Sequence, residues 1–416
     1  EQAFDGLEDP VLAIRVNGLS HREGRDVDLP KSGWVLQIQL PAEISPETRE
    51  SLSVTLRAER TGATIEVADQ LAWEGEAGRL LVERDLGLFQ GLLSVKATLT
   101  DPSGSKLEAH RRMRIRRWLG GPPIGSRQTL HLDFEIDRDG DGRPDFLDDL
   151  EGLGVETTGD PVVQQAFAAR VAERALARVR RAYDDRSDPN GTGLPSDPVR
   201  VRFELASEPD PYVTRICVGG RNPSQPGSVG YVRFDPRNQR KRSNECDDEP
   251  VSGVFPAELS IYAESPLFRE ILAPFRSSEG GRPIGTVPGD RAALANEESA
   301  AAAAGDASPR AEAIARAARV LGDVLGTIIA HESAHALGLV PGGRPPVGLF
   351  GGSDEASAQY AHNLDTEGHP PSTPWLMNAG GRFDFETLAG LGEAGELRFR
   401  PISYAYLRDR VLLEER

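Results

Sequence analysis

The most constraining feature of this 416-residue chain is an apolar helical pattern that ends in two histidines four residues apart. A serine–proline pair, a typical helix start, precedes apolar residues at three- and four-residue spacings, which predict one helix over residues 309–338. His331 and His335 share one helix face and can bind a single Zn²⁺. Glu332 lies beside them, where a general base can reach a zinc-bound water without being a ligand.

Paired histidines on an apolar helix are often only hydrogen-bonded core residues. Histidine is scarce here, however, and four of the seven histidines fall between residues 331 and 369. A His-Glu-x-x-His string is expected by chance in about one in a hundred chains of this composition, so the motif is moderately specific by itself. Gly338 follows as a well-placed helix C-cap. We therefore favour a zinc site over a structural histidine pair.

This string, Gly338 and a later Pro-Trp-Leu-Met-Asn-Ala-Gly segment resemble the metzincin clan of zinc endopeptidases. The segment, residues 374–380, looks like the clan's methionine turn, in which Met377 would place a thioether beneath the metal-binding histidines. The clan's third histidine position is occupied by Pro341. The resemblance therefore implies that the third ligand comes from elsewhere in the chain.

The leishmanolysin branch, in which an insertion precedes the third histidine, is similar to this chain. Residues 340–361 look like such an insertion, and two histidines follow it. The resemblance favours His362 as the third ligand, because its His-Asn step and the turn after it look like bacterial metzincin-like sequences. His369 is the alternative. In a gluzincin-type site Glu355 would serve instead, although the apparent methionine turn argues against that clan.

The resemblance implies an exported zinc-dependent endopeptidase that acts on proteins or peptides. Glu332 would be its catalytic base, activating a zinc-bound water for attack on a peptide bond. Two other classes stay open: a catalytically degenerate metzincin-like binding or adhesion protein, and a zinc hydrolase with a different substrate.

The chain is predicted to be multi-domain. Short alternating strands separated by Pro and Gly turns predict an all-β sandwich over residues 1–119, which resembles bacterial immunoglobulin-like modules in pattern. A Gly/Pro-rich linker spans residues 120–126. Residues 127–416 are expected to form an α+β metzincin-like catalytic domain.

An acidic loop over residues 137–148 is typical of calcium-binding loops. Oxygen donors occur at loop positions 1, 3, 5, 9 and 12, glycine occupies position 6, and position 7 offers a backbone carbonyl. The predicted ligands are Asp137, Asp139, Asp141, Arg143, Asp145 and Asp148, with Asp149 as an alternative at the last position. Five clustered carboxylates repel one another without a cation, so we favour structural Ca²⁺ over a solvated turn.

Charge and cysteine content indicate the cellular context. The chain has 48 Lys+Arg against 65 Asp+Glu, a formal charge of −17, which argues against nucleic-acid or anionic-membrane partners. No apolar run is long enough to span a bilayer. Cys217 and Cys246 could be two buried thiols or one disulfide; we favour the disulfide, and with it a secreted, periplasmic or cell-surface location. The oligomeric state cannot be read from the sequence.

Overall fold

A computed structural model of the protein combines several β-sheets with helices in a mixed α/β arrangement. It describes residues 12–16, 27–30, 33–41, 44–83, 91–116, 128–184, 199, 201–207, 213–235, 246, 251–295, 308–340, 362–363, 375–379, 383–400, 403–404 and 407.

The first part of the chain is built from two sheets. Their order is β1-β3-β7-β6 and β2-β9-β8-β4-β5, and α1 (Pro46–Glu50) lies between β3 and β4 in sequence. Both sheets contribute alternate side chains, such as Trp34 and Val95, to one hydrophobic core. The strands are β1 (Ala13–Val16), β2 (Val27–Pro30), β3 (Gly33–Gln39), β4 (Ser53–Ala58), β5 (Thr64–Glu66), β6 (Ala72–Glu74), β7 (Ala77–Glu83), β8 (Gly91–Thr100) and β9 (Lys106–Arg116).

A second hydrophobic core begins at β10 and contains most of the helices. Strands β10 (Gln128–Asp133), β11 (Val201–Leu205) and β12 (Thr214–Cys217) form a parallel sheet in the order β11-β10-β12. Strands β13 (Gly230–Tyr231) and β14 (Gly253–Val254) form an antiparallel pair. The helices are α2 (Asp145–Leu153), α3 (Pro161–Tyr183), α4 (Pro266–Leu272), α5 (Asp290–Ala295), α6 (Pro309–Ala336) and α7 (Phe385–Leu388). Short 3₁₀ helices span Ala68–Gln70, Pro256–Tyr262, Ala273–Phe275 and Ser277–Glu279.

Helix α6 begins and ends close to the predicted residues. The Ser308 hydroxyl accepts a hydrogen bond from the Ala311 N–H at its N-terminus, and Gly338, just beyond its end, has a φ of 84° that favours glycine. The helix packs against α3 and is buried along most of its length. It carries the two histidines near its C-terminal end.

Helices α3 and α6 approach each other closely at two glycines. A Cβ on Gly322 would lie 2.9 Å from the Val171 carbonyl oxygen, and a Cβ on Gly326 would lie 2.6 Å from that of Ala175. Arg174 forms a two-pronged ion pair with Asp323 across this contact, at 2.8 and 2.7 Å. The helix that carries the histidines is therefore tied firmly to its neighbour.

Two loop-rich parts of the second unit contain short regular elements. The loop-rich stretch after β12 contains β13, which pairs with β14. The stretch before α6 includes the short helix α5, whose Asp290 carboxylate accepts a hydrogen bond from Arg310 at 3.1 Å. Neither element is long enough to show a periodic pattern in the sequence.

The favoured disulfide is present: Cys217 and Cys246 are bonded, with their Cα atoms 5.8 Å apart. Among the described residues, none of the helices combines the length and apolar character needed to cross a membrane.

Candidate metal centre

Three of the predicted ligands meet at the C-terminal end of α6. The Nε2 atom of His331 lies 3.1 Å from that of His335 and 3.2 Å from that of His362. His335 and His362 are also close, with ring centroids 5.1 Å apart. The alternatives His369 and Glu355 lie outside the described residues, as does Pro341. The structure thus brings together the three histidines that the sequence analysis favoured as zinc ligands.

The two helix histidines are oriented by main-chain carbonyl groups. The Nδ1 atom of His331 lies 2.6 Å from the Leu376 carbonyl oxygen, and that of His335 lies 2.8 Å from the Leu339 carbonyl oxygen. A carbonyl only accepts hydrogen bonds, so Nδ1 of each ring carries the proton. The Nε2 lone pairs of these two rings then face each other and cannot hydrogen-bond to one another. A cation between them resolves this conflict, and imidazole nitrogens suit zinc.

The protonation states fit metal binding as well. Burial, reinforced by the neighbouring His362, lowers the pKa of His331 to about 4. Burial also holds the pKa of His335 well below its usual range, with the other two imidazoles acting in the same direction. Both rings are therefore neutral at physiological pH, as metal ligands must be.

Glu332 lies in the same cleft and is almost fully buried. Burial raises the pKa of its carboxyl to about 8, and the Val232 backbone N–H partly offsets this rise. The side chain packs directly on β13, where a Cβ at Gly230 would lie 2.8 Å from Glu332 Cδ. Only glycine leaves room for the Glu332 side chain at that point.

The segment predicted as a methionine turn lies next to the histidines. Met377 is fully buried, and its carbonyl oxygen accepts a hydrogen bond from the Asn363 N–H at 2.8 Å. The Asn363 side-chain amide donates to Asn378 Oδ1 at 2.9 Å. Sequence reasoning did not identify either asparagine, although each directly follows a residue that was singled out, His362 and Met377.

A cleft of about 570 Å³ opens over these groups. Apart from Glu332 and the histidines, the described side chains that line it are uncharged and mostly apolar. One of them, Ile261, is 54% exposed. The other lining residues are Gln225, Gly227, Ser228, Val229, Gly230, Tyr231, Val232, Phe234, Tyr262, Thr327, Ile328, Leu376, Phe383 and Leu388.

Tyr404 does not line this cleft. Its hydroxyl donates to the Ala182 carbonyl oxygen inside the core.

The predicted calcium loop forms two overlapping groups of carboxylates instead of one ring of five. Oxygen atoms of Asp137, Asp139 and Asp145 lie within 4.8 Å of one another, and so do those of Asp139, Asp141 and Asp148.

The C-terminal end of the loop is engaged by protein groups. Asp148 forms an ion pair with the Arg143 side chain, the residue expected to contribute only its carbonyl. The alternative residue Asp149 accepts a hydrogen bond from the Gly220 N–H at 2.7 Å. Burial raises the pKa of Asp149 to about 7. Calcium itself stays a prediction.

Comparison with known proteins adds little. No family model matches the chain, and no curated protein matches it. Among solved structures, chitinase ChiW from Paenibacillus sp. str. FPU-7, a cell-surface-expressed multi-modular enzyme, shares a partial likeness at 10% sequence identity and a TM-score of 0.18. That alignment covers 34% of this chain and 10% of the chitinase, and so weak a likeness carries no argument about fold or function.

Proposed function

We propose that this protein is an exported zinc-dependent endopeptidase of the metzincin type. The observation that carries the proposal is the convergence of three imidazole Nε2 atoms, two of them fixed as acceptors by main-chain carbonyls. His331, His335 and His362 would hold the zinc. Three protein ligands leave a fourth position open, which is the pattern of catalytic zinc sites and not of structural ones.

Glu332 is the proposed general base. When bound, zinc would supply a Lewis acid that acidifies a water molecule and polarises the substrate carbonyl. A cation at the histidines would lower the pKa of the Glu332 carboxyl, so that the ionised group can take the proton from the attacking water and deliver it to the nitrogen of the departing amine. The binding or adhesion hypothesis does not explain why a carboxylate is buried in this cleft beside the histidines, at the cost of desolvation.

The described walls of the cleft would favour uncharged, apolar substrate residues. Its described walls offer Tyr231, Tyr262 and Phe383 but no side chain that would pair with a charged substrate residue. Burying an unpaired charge there is costly, whereas burying an apolar side chain is favourable. We therefore expect a peptide or unfolded-protein substrate.

The proposal extends to the N-terminal sheets, the acidic loop and the disulfide. The two N-terminal sheets would form an immunoglobulin-like β-sandwich, and the unit from β10 onwards would be the metzincin-like catalytic domain. The acidic loop would bind structural Ca²⁺ through its predicted ligands, whose carboxylates form two close groups: Asp137, Asp139 and Asp145, and Asp139, Asp141 and Asp148. The disulfide supports an exported location.

Metal analysis combined with a cleavage assay tests the proposal. Wild-type protein should contain one zinc per chain, His362→Ala should lose it, and His369→Ala should keep it. Glu332→Gln should retain zinc and lose hydrolysis of a mixture of unstructured peptides, followed by mass spectrometry. Zinc without hydrolysis in the wild type would favour the degenerate binding protein. Absence of zinc after metal-replete loading would refute the enzyme hypothesis.

A further inference from the structure

The segment predicted as a methionine turn hydrogen-bonds to one of the three histidines, His331, and to Asn363, the residue after His362. Three consecutive residues of this segment each supply one acceptor: Leu376 and Met377 through their carbonyl oxygens, Asn378 through its side chain. The first acceptor binds the ring of His331. The other two bind Asn363, the residue after His362.

The segment is itself held by backbone hydrogen bonds. The Leu376 N–H donates to the Arg398 carbonyl oxygen at 2.8 Å, and the Asn378 N–H donates to the Trp375 carbonyl oxygen at 2.9 Å. Leu376 and Met377 are fully buried, and Asn378 is 6% exposed. These backbone hydrogen bonds and the burial of the segment therefore fix the positions of the three acceptors.

His362 depends on this arrangement more than the helix histidines do. His331 and His335 are positioned by α6, whereas His362 lies in neither a helix nor a strand. A ligand outside regular secondary structure keeps its position only if neighbouring groups hold its backbone. Asn363 supplies two such contacts, one from its N–H and one from its side-chain amide.

We propose that Asn363 and Asn378 are positioning residues for the third zinc ligand, and that their amide–amide hydrogen bond sets the distance between His362 and His331. The inference rests on the proposed zinc site. In this inference the predicted methionine turn contributes to zinc affinity through its hydrogen-bond acceptors, and not through the buried thioether of Met377. Loss of an outer hydrogen bond of this kind costs about 10–100-fold in metal affinity.

Two substitutions at one position separate hydrogen bonding from packing. Asn378→Leu conserves the size of the side chain but removes the acceptor, whereas Asn378→Asp keeps an acceptor oxygen. We expect Asn378→Leu to weaken zinc binding by about 10–100-fold and Asn378→Asp to stay close to wild type. Asn363→Ala should lose a similar factor, and the double variant Asn363→Ala/Asn378→Leu should lose no more than either single variant.

The measurement is zinc affinity by competition with a fluorescent chelator, with circular dichroism of each metal-free variant as a check of folding. Gln164→Ala is the matched control, because this amide also makes a partly buried side-chain hydrogen bond, to Thr157 Oγ1 at 3.0 Å, but neither residue lines the cleft of the histidines. It should bind zinc like the wild type.

The outcomes are distinguishable. No zinc in the wild type would refute the proposed function itself. Zinc that is lost in His362→Ala but retained fully in both Asn378→Leu and Asn363→Ala would leave the zinc site standing and overturn the positioning role. Equal weakening by Asn378→Leu and Asn378→Asp would also overturn it, because packing alone would then account for the effect.

Discussion

Replacing Gly326 by alanine tests whether the close approach of α3 and α6 limits what the histidine-bearing helix can tolerate. A new Cβ would lie 2.6 Å from the Ala175 carbonyl oxygen and 2.6 Å from Arg178 Cβ. Neither atom is the far end of a flexible side chain, so the two helices must separate by several tenths of an ångström.

The expected cost follows from two opposing effects. Alanine in a helix interior is favoured over glycine by up to about 1 kcal/mol. Overpacking a tight contact costs about 1–3 kcal/mol. Separation of the helices would also stretch the bond from Arg178 Nε to Thr327 Oγ1, now 3.2 Å, inside the core. We expect Gly326→Ala to lower the free energy of unfolding by about 1–2 kcal/mol.

Gly152→Ala is the matched control, since Gly152 also lies within a helix but has no neighbouring atom within 4 Å of the added methyl position. That variant should gain about 0.5–1 kcal/mol. Urea unfolding followed at 222 nm reports on both substitutions, because nearly all the helical residues belong to the second core. Equal stabilisation of the two variants would refute the close-approach argument.

Three other predictions concern the site and the acidic loop. Gly230→Ala should reduce kcat up to about 100-fold with zinc content unchanged, because its Cβ would displace Glu332; unchanged kcat would contradict this. Chelation of the metal should lower the midpoint of thermal unfolding, and zinc at 100-fold excess over its Kd should restore about 2.7 kcal/mol; identical melting curves would argue against a site in the folded state. Burial raises the pKa of the Asp149 carboxyl from 3.8 to about 7. Between these pH values the folded state binds a proton that the unfolded state has released, so the free energy of unfolding of the calcium-free protein should fall as pH rises from about 4 to about 7. Asp149→Asn should flatten that part of the pH profile in urea titrations, and a profile identical to that of the wild type would exclude Asp149 as the cause.

The parts of the fold that sequence reasoning predicted correctly are those determined by local patterns. Helix α6 carries its N-cap and its apolar periodicity within its own residues, so its limits lie within two residues of the predicted ones. The two-residue strand β13 has no such pattern, because its pairing with β14 arises only from the tertiary fold.

In the candidate site, too, some residues follow from local patterns in the sequence and others do not. His331, Glu332 and His335 follow from the geometry of a single helix. His362 was favoured only through a resemblance, since nothing local links it to residues 27 positions earlier in the chain. The ion pair of Arg143 with Asp148 was missed because the spacing of ligand residues describes a loop around a cation and not the side-chain pairs that form within it.

The main-chain partners of the helix histidines have an evolutionary consequence. Every amino acid provides a carbonyl oxygen, so positions 339 and 376 can change identity without altering the orientation of His331 or His335, provided that the chain path stays the same. The orientation of the two rings therefore does not depend on which side chains occupy those two positions. Because both leucines are buried in the core, distant homologues are expected to vary there only among apolar residues of similar size, while keeping an acceptor side chain at position 378.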